Sequence, residues 1–273
     1  MDNINCCIIA IQRNEPYLQY WIDYHLNQGI SHIFLIDNND SNNSIYLPKK
    51  YKDTVTIFPA NNCDHIFVRC CQYKLYNLTL DYIKGINNIN KIYTHVLVID
   101  IDEYFWYSKG NIIDFINNEM TAPQIAIPWL CYSDNGYIYK KDLPYDNPID
   151  NYSQIANTKW IKNEYKSFAV INDNTKLDVH FHNNDHHNII NNTNDVHIKH
   201  YRTQCLEEYI DKICLRNTND SSWWFEHGKK TIQVYFNYND ITNEKLDAFK
   251  YFYNKYNLTM SEEDKQFIES NYK

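Results

Sequence analysis

The length and charge of the chain limit the functions it can have. Its 273 residues can bury a substantial core. A formal net charge of −8 argues against a broad nucleic-acid-binding surface, because contacts to phosphate need basic side chains. The sequence has no run of about 18 apolar residues that could span a membrane, and residues 1–15 lack the basic start of a signal peptide. The eight cysteines form no C-x-x-C motif and are predicted to be buried, reduced thiols. We therefore expect a cytoplasmic protein without a membrane anchor.

The first half of the chain alternates between strand-like and helix-like segments. In chain order the apolar periodicity predicts strand 5–11, helix 15–28, strand 32–36, strand 54–58, helix 67–82 and strand 96–101. Gly29 is placed to end the first helix. Strands that alternate with helices of this length indicate βαβ units. The predicted fold class is therefore α/β, with a mostly parallel sheet flanked by helices.

The alternation stops after about residue 122. The later segments are predicted as strands 124–129, 166–171 and 177–181, helices 204–216 and 243–256, and a short helix starting at Ser261. Neither a linker nor an internal repeat separates the two parts. We expect one domain over 1–273, with a ligand-binding half (1–122) and a second half (123–273) that carries the C-terminal helices.

Polar residues follow each of the first four predicted strands. The segments 12–15, 37–40 and 59–62 follow the first three, and Asp100, Asp102 and Glu103 follow the fourth. Ligands of open α/β sheets bind outside the carboxyl ends of the strands. This edge is therefore the predicted ligand site.

Asp100 and Asp102 stand at positions i and i+2. In extended backbone they would share one face of the strand while Ile101 points into the core. Two neighbouring carboxylates repel each other unless a cation joins them, and hard oxygen ligands suit Mg²⁺ or Mn²⁺, which also bridge phosphate oxygens. Their place at the ligand edge favours a metal–phosphate site over an ordinary solvated strand end.

Four ordered segments resemble glycosyltransferase family 92 and its relatives near family 2. They are the R-N-E and W-I-x-Y-H-x-x-x-G motifs within 13–29, the strand 32–38, the D-x-D-E block within 98–105, and H-Y-x-x with the following helix within 199–212. Where the family has Lys-Ser after H-Y-x-x, this chain has Gln204 and Cys205. Together the matches extend from residue 8 to about 215.

The resemblance implies a GT-A (Rossmann-like) fold, a UDP-sugar donor and Mn²⁺ or Mg²⁺, with 1–122 as the nucleotide-sugar-binding half and 123–273 as the acceptor-binding half. Asp100 and Asp102 match the metal- and diphosphate-binding pair, Glu103 the acid after it, and Asp37 the group that faces the base or ribose. The resemblance assigns nucleotide-sugar binding to Arg13, Asn14, Glu15, Asp37, Arg69, Asp100, Ile101 and Asp102.

Several histidines cluster late in the chain: His180, His182, His186, His187, His197 and His200. The H-x-H pair at 180 and 182 is a possible zinc-ligand pattern, and the alternative is a set of polar loop histidines. GT-A enzymes often place a late histidine on the metal, so the resemblance favours His180 or His200 as a ligand beside Asp100 and Asp102.

Sugar transfer with inversion needs a carboxylate that accepts the proton of the acceptor hydroxyl. The segment 149–152 resembles the family's I-E-R-Y, so Asp150 is the first candidate base, and Asp134 beside Gly136 is the second. Either acid could instead be a surface group.

The sequence thus predicts a metal-dependent glycosyltransferase that moves a sugar from a UDP-sugar to a glycan or other hydroxyl acceptor. The rival enzyme class is a nucleotidyltransferase, which should show a glycine-rich basic loop after strand one; residues 12–16 have no glycine and one basic residue. The third alternative is a catalytically dead GT-A carbohydrate-binding module, against which the intact Asp100 and Asp102 argue.

Overall fold

The computed structural model describes residues 4–39, 45–60, 69–90, 92–156, 164–179, 188–190, 192–214 and 231–272. The chain divides into two compact units. The first comprises Met1–Leu130 and Asn163–His200, and the second comprises Cys131–Lys162 and Tyr201–Lys273.

The first unit contains the strands and three helices. The strands are β1 (Cys6–Gln12), β2 (Ile30–Asp37), β3 (Val55–Pro59), β4 (His95–Val98), β5 (Glu103–Tyr107), β6 (Gln124–Cys131, its last residue counted with the second unit), β7 (Tyr165–Val170), β8 (Asn188–Ile189) and β9 (Val196–His200). The helices are α1 (Leu18–Asn27), α2 (Arg69–Asn90) and α3 (Ile112–Glu119). A 3-10 turn covers Lys49–Tyr51.

The strands lie in the order β3-β2-β1-β4-β7-β6-β9-β5, and β8 pairs with β6. β1 is parallel to β2 and to β4, β2 is parallel to β3, and β6 is parallel to β8. β7 is antiparallel to both β4 and β6, and β5 is antiparallel to β9. The predicted α/β class, with a mostly parallel sheet flanked by helices, is confirmed.

The central strands are mostly apolar because both faces of the sheet are covered. All seven residues of β1 are buried. One face of the sheet packs against α2 in a core of Cys7, Ile9, Ile11, Phe34, Ile36, Tyr76, Leu80, Ile83, Val96, Val98, Ala169, Leu177 and Val179. Cys6, Cys7, Cys131 and Cys205 are buried free thiols, and Cys71 is a half-buried one.

Several element boundaries differ from the prediction. The fourth strand ends at Val98 instead of residue 101, and β5, α3 and β9 were not predicted. Leu177 and Val179 are not in a strand; they are buried in the core beside α2. Apolar burial alone produced the strand-like pattern there, since a buried loop residue and a strand residue carry similar side chains.

The second unit is built mainly from helices. They are α4 (Pro148–Asn151), α5 (Leu206–Cys214), α6 (Thr231–Phe236), α7 (Asn243–Lys255) and α8 (Glu262–Asn271), with a 3-10 turn at Lys140–Asp142. Thr242 and Ser261 cap α7 and α8 through their side-chain oxygens. The core includes Leu206, Ile210, Ile232, Tyr235, Leu246, Phe249 and Phe252. Among the described helices of both units, none combines the length and apolarity needed to cross a membrane.

Candidate metal centre

The carboxylates after β4 lie in a tight turn and not in a strand. The backbone N–H of Glu103 donates to the carbonyl of Asp100 (3.1 Å). The carboxylate of Glu103 accepts the backbone N–H of Asp100 through Oε2 (2.9 Å). The predicted extended backbone through Ile101, with Asp100 and Asp102 on one strand face, is therefore wrong. In this turn Asp100 contacts Lys166, whereas Asp102 lies beside His200.

Asp102, Glu103 and His200 form a group that could hold a metal ion. Glu103 is the first residue of β5 and lies opposite His200, the last residue of β9, in the antiparallel register. One ligand atom from each of the three residues lies within 4.8 Å of the others. His200 Nε2 is 3.6 Å from Asp102 Oδ2, and His200 Nδ1 is 3.9 Å from Glu103 Oε1. Asp102 belongs to the predicted aspartate pair, and His200 was one of the two predicted histidine ligands.

One oxygen of this group has no hydrogen-bond donor within the described residues. Glu103 Oε1 is buried and accepts no hydrogen bond there, whereas Oε2 is held by the turn. A buried carboxylate oxygen left in this way is costly, so it calls for an explanation such as a bound ion. Two carboxylates and an imidazole suit a divalent metal. The residues therefore fit the implied cation, although they do not specify which metal it is.

A buried lysine completes the cluster. Lys166 on β7 places Nζ 2.6 Å from Asp100 Oδ2 and 3.2 Å from Glu103 Oε2, and its side chain is fully buried. The antiparallel pairing of β7 with β4 brings Lys166 to the end of β4. Its ammonium group also lies 5.4 Å from the centre of the Trp129 ring. Sequence analysis missed Lys166, although a lysine in an otherwise apolar strand is a signal of a buried charged partner.

Burial and charge set the ionisation of the cluster. Burial lowers the pKa of Lys166, but Asp100 and Glu103 outweigh this effect and raise it, so the lysine stays charged. Burial raises the pKa of Glu103 to about 8; Lys166 opposes the shift and the carboxylates of Asp100 and Asp102 add to it. The buried Tyr76 hydroxyl has its pKa raised by burial and by the negative charges of Asp100 and Glu103.

Helix α1 holds the backbone of β5 next to this cluster. Trp21 Nε1 donates to the carbonyl of Glu103, and the Tyr24 hydroxyl donates to the carbonyl of Phe105, both at 2.7 Å. The backbone N–H of Phe105 donates to His25 Nε2 (3.3 Å), while His25 Nδ1 lies 2.9 Å from the carbonyl of Trp21. The W-I-x-Y-H motif therefore fixes the position of the strand that carries Glu103.

Asp37 joins the ends of the neighbouring strands. Its carboxylate accepts hydrogen bonds from the Gln12 side chain and from the backbone N–H groups of Asn39 (3.0 Å) and Ile45 (2.9 Å). The Asn39 side chain in turn accepts the N–H of Asn14 (2.8 Å). These contacts organise the ligand edge of the sheet. Contact between Asp37 and a base or ribose stays a prediction.

The other residues predicted to bind the nucleotide-sugar donor differ in how exposed they are. Arg13 is buried, Asn14 is exposed with a positive φ of 50°, and Glu15 is half-buried. Ile101 is buried in the turn after β4. Arg69 is the first residue of α2, and its side chain lies outside the described part of the chain. Their role in donor binding stays a prediction.

Four of the clustered histidines lie outside the described residues: His180, His182, His186 and His187. The described histidine His197 is buried on β9. Its Nδ1 lies 2.7 Å from the carbonyl of Thr193, and its ring lies against Trp106 at 4.6 Å between centroids. His197 therefore has a structural position in the first unit.

The two candidate bases lie in the second unit and have different surroundings. Asp134 is buried, with its carboxylate 2.6 Å from Lys245 Nζ and accepting a short hydrogen bond from the Tyr235 hydroxyl. Asp150 is exposed in α4, where its carboxylate accepts from Asn147 Nδ2 (2.9 Å) and its N–H donates to the Asn147 side chain (3.0 Å). The first arrangement is that of a core ion pair and the second that of a helix cap. A catalytic role for either acid stays a prediction.

Comparison with known proteins gives a distant likeness to a solved structure and no match to a protein family. No protein-family model matches the chain. No curated protein matches it either. Among solved structures, the crystal structure of S. aureus TarS 1–349 matches with 14% sequence identity and a TM-score of 0.30. The match covers 47% of this chain and 36% of the TarS chain in that structure. A likeness this distant supports no statement about function.

Proposed function

We propose that the chain is a metal-dependent glycosyltransferase that moves a sugar from a UDP-sugar to a glycan or other hydroxyl acceptor, with inversion. The proposal rests chiefly on the buried group of Asp102, Glu103 and His200, with Glu103 Oε1 lacking a hydrogen-bond donor within the described residues. These three residues would hold Mn²⁺ or Mg²⁺. The four motifs that resemble family 92 add the nucleotide-sugar specificity.

The position of the group in the sheet supports this function. β1, β2 and β4 are parallel, so their carboxyl ends lie at one edge. Gln12 pairs with Asp37 at the ends of β1 and β2, and the turn with Asp102 follows β4. Nucleotides bind at this edge in open α/β sheets.

The residues of the chain would have separate tasks in the reaction. When bound, the cation neutralises charge on the departing diphosphate. Asp102, Glu103 and His200 hold the cation, and Lys166 keeps the Glu103 carboxylate in place. A carboxylate must also take the proton of the acceptor hydroxyl. Asp150 is the first candidate for that base and Asp134 the second.

A thermal-shift experiment tests the metal requirement. UDP with Mn²⁺ should raise the melting temperature, since a ligand that binds only the folded state stabilises it by mass action. The shift should disappear in excess EDTA and in Asp102→Asn. Asp53→Asn is the matched control, because it also removes one carboxylate but the Asp53 side chain is 82% exposed and lies beside Lys52; this variant should keep the shift.

Other outcomes would favour the alternative functions. Equal stabilisation by UDP in EDTA contradicts the metal-bridged donor site. Metal-dependent UDP binding without donor hydrolysis or transfer indicates a catalytically inactive binding module. Release of pyrophosphate from a nucleoside triphosphate indicates a nucleotidyltransferase.

A further inference from the structure

We propose that Lys166 is a positioning residue of the metal centre and that Asp100 serves Lys166 instead of binding the metal. The ligand set is then Asp102, Glu103 and His200, and the D-x-D motif does not act as a pair of metal ligands. This inference rests on the proposed function, because it concerns the same cation.

The position of the ammonium group separates Asp100 from the metal ligands. Lys166 Nζ lies 2.6 Å from Asp100 Oδ2. The ammonium group thus holds Asp100 Oδ2, and Asp100 is not part of the group of ligand atoms that Asp102, Glu103 and His200 form among the described residues. Asp102, two residues further on, has Oδ2 3.6 Å from His200 Nε2.

Lys166 also orients the carboxylate of Glu103. Oε2 lies 3.2 Å from the ammonium group and accepts the N–H of Asp100. The carboxylate is planar, so holding Oε2 directs Oε1 towards His200 Nδ1, 3.9 Å away. Both residues of the Lys166–Glu103 pair are fully buried, so solvent cannot replace either contact. Groups that orient metal ligands in this way change metal affinity by about 10- to 100-fold when they are removed.

The test compares Mn²⁺ affinity, by titration calorimetry on metal-free protein, for the wild type and three variants. Asp100→Asn and Asp102→Asn each remove one negative charge from the same turn, so charge alone predicts similar losses. The inference predicts that D102N binds at least about tenfold more weakly than D100N, because only D102N also loses a ligand.

The third variant is D100N with Lys166→Met, compared with D100N alone. If Lys166 acts only through its charge, its removal reduces repulsion and tightens Mn²⁺ binding. If it positions Glu103, binding weakens by about tenfold or more. The two explanations thus predict changes of opposite sign. Because the double variant lacks the Asp100 charge, removal of Lys166 leaves only the Glu103 carboxylate without its cation; D100N, which retains Lys166, is the reference.

The outcomes separate this inference from the proposed function. A wild type that binds no Mn²⁺ contradicts the proposed function and this inference with it. If the wild type binds Mn²⁺ and D100N and D102N lose the same amount of affinity, Asp100 is a ligand; this result contradicts the inference but not the proposed function. Tighter binding by the double variant than by D100N also contradicts it. A lower melting temperature with unchanged affinity would make Lys166 purely structural.

Discussion

His25 shows how a single buried group links folding to pH. It is fully buried between the carbonyl of Trp21 and the N–H of Phe105, and burial lowers its pKa to about 3. A neutral ring is required here, because Nε2 must accept the hydrogen bond from Phe105. The unfolded chain binds a proton below its usual pKa of about 6.5, and the folded chain does not. The contribution of His25 to stability is therefore complete above about pH 6.5 and is lost as the pH falls towards 3.

Urea unfolding at pH 7 and pH 5 measures this contribution. Between pH 7 and pH 5, the free energy of unfolding of the wild type should fall by about 2 kcal/mol more than that of His25→Phe, because His25 takes up a proton only in the unfolded state. His197, whose pKa is lowered to about 4 chiefly by burial, is present in both proteins, so its contribution cancels. An equal loss in both proteins would show that His25 is protonated in the folded state.

For single residues, the sequence predicted which side chains lie at the site better than it predicted which side chains contact each other. Asp102 and His200 were both predicted as metal ligands, and the structure brings them together with Glu103. The partner of Asp100 was not foreseen. Lys166 reaches it only through the pairing of β7 with β4, and no local pattern specifies which strands become neighbours.

Helix α1 is the element that holds the strand of the metal centre. Trp21, Tyr24 and His25 stand on one face of the helix and all contact the backbone of β5. They replace strand pairing on that side with side-chain hydrogen bonds. The motif therefore has a structural role that is independent of any contact with substrate.

The hydroxyl of Tyr24 gives the cleanest test of this contact. Tyr24→Phe keeps the ring beside Tyr104 (5.1 Å between centroids) and removes the hydroxyl that donates to the Phe105 carbonyl. We expect a loss of about 0.5–1.5 kcal/mol in the free energy of unfolding. Tyr46→Phe is the control, since Tyr46 is 82% exposed and should change stability little. Denaturant unfolding of both variants measures the difference, and equal stabilities would show that the contact contributes nothing.

Predicted elements were accurate where the apolar periodicity was long. α1 was predicted together with its end, and Gly29 indeed has a positive φ of 91°. The fourth strand was extended too far because Ile99 and Ile101 are buried in the turn as deeply as strand residues. α3 was missed although Asn111 and Asp114 form a capping box at its start, a signal that the sequence does carry.

At the scale of the whole molecule, the alternation of the first half predicted the parallel strands and their ligand edge. The antiparallel strand pairs were not predictable in the same way. β5 and β9 are antiparallel partners almost a hundred residues apart in the sequence, and their register places Glu103 opposite His200. Such a pairing depends on the packing of the complete unit, since neither strand has a turn that joins it to the other.

The second unit offers the last test, because its core contains an ion pair made by a candidate catalytic acid. Asp134 and Lys245 are both buried, and their charged groups are 2.6 Å apart. Removing one partner of a buried pair costs about 3–5 kcal/mol, because the other charge is left uncompensated. Asp134→Asn and Lys245→Met should therefore lower the free energy of unfolding by similar amounts, measured by denaturant titration.

The effects of the two variants on sugar transfer, assayed under conditions where both are folded, then distinguish a structural role of Asp134 from a catalytic one. Equal transfer by both variants makes the pair structural and leaves Asp150 as the candidate base. Loss of transfer in D134N alone, with K245M active, would instead make Asp134 the proton acceptor.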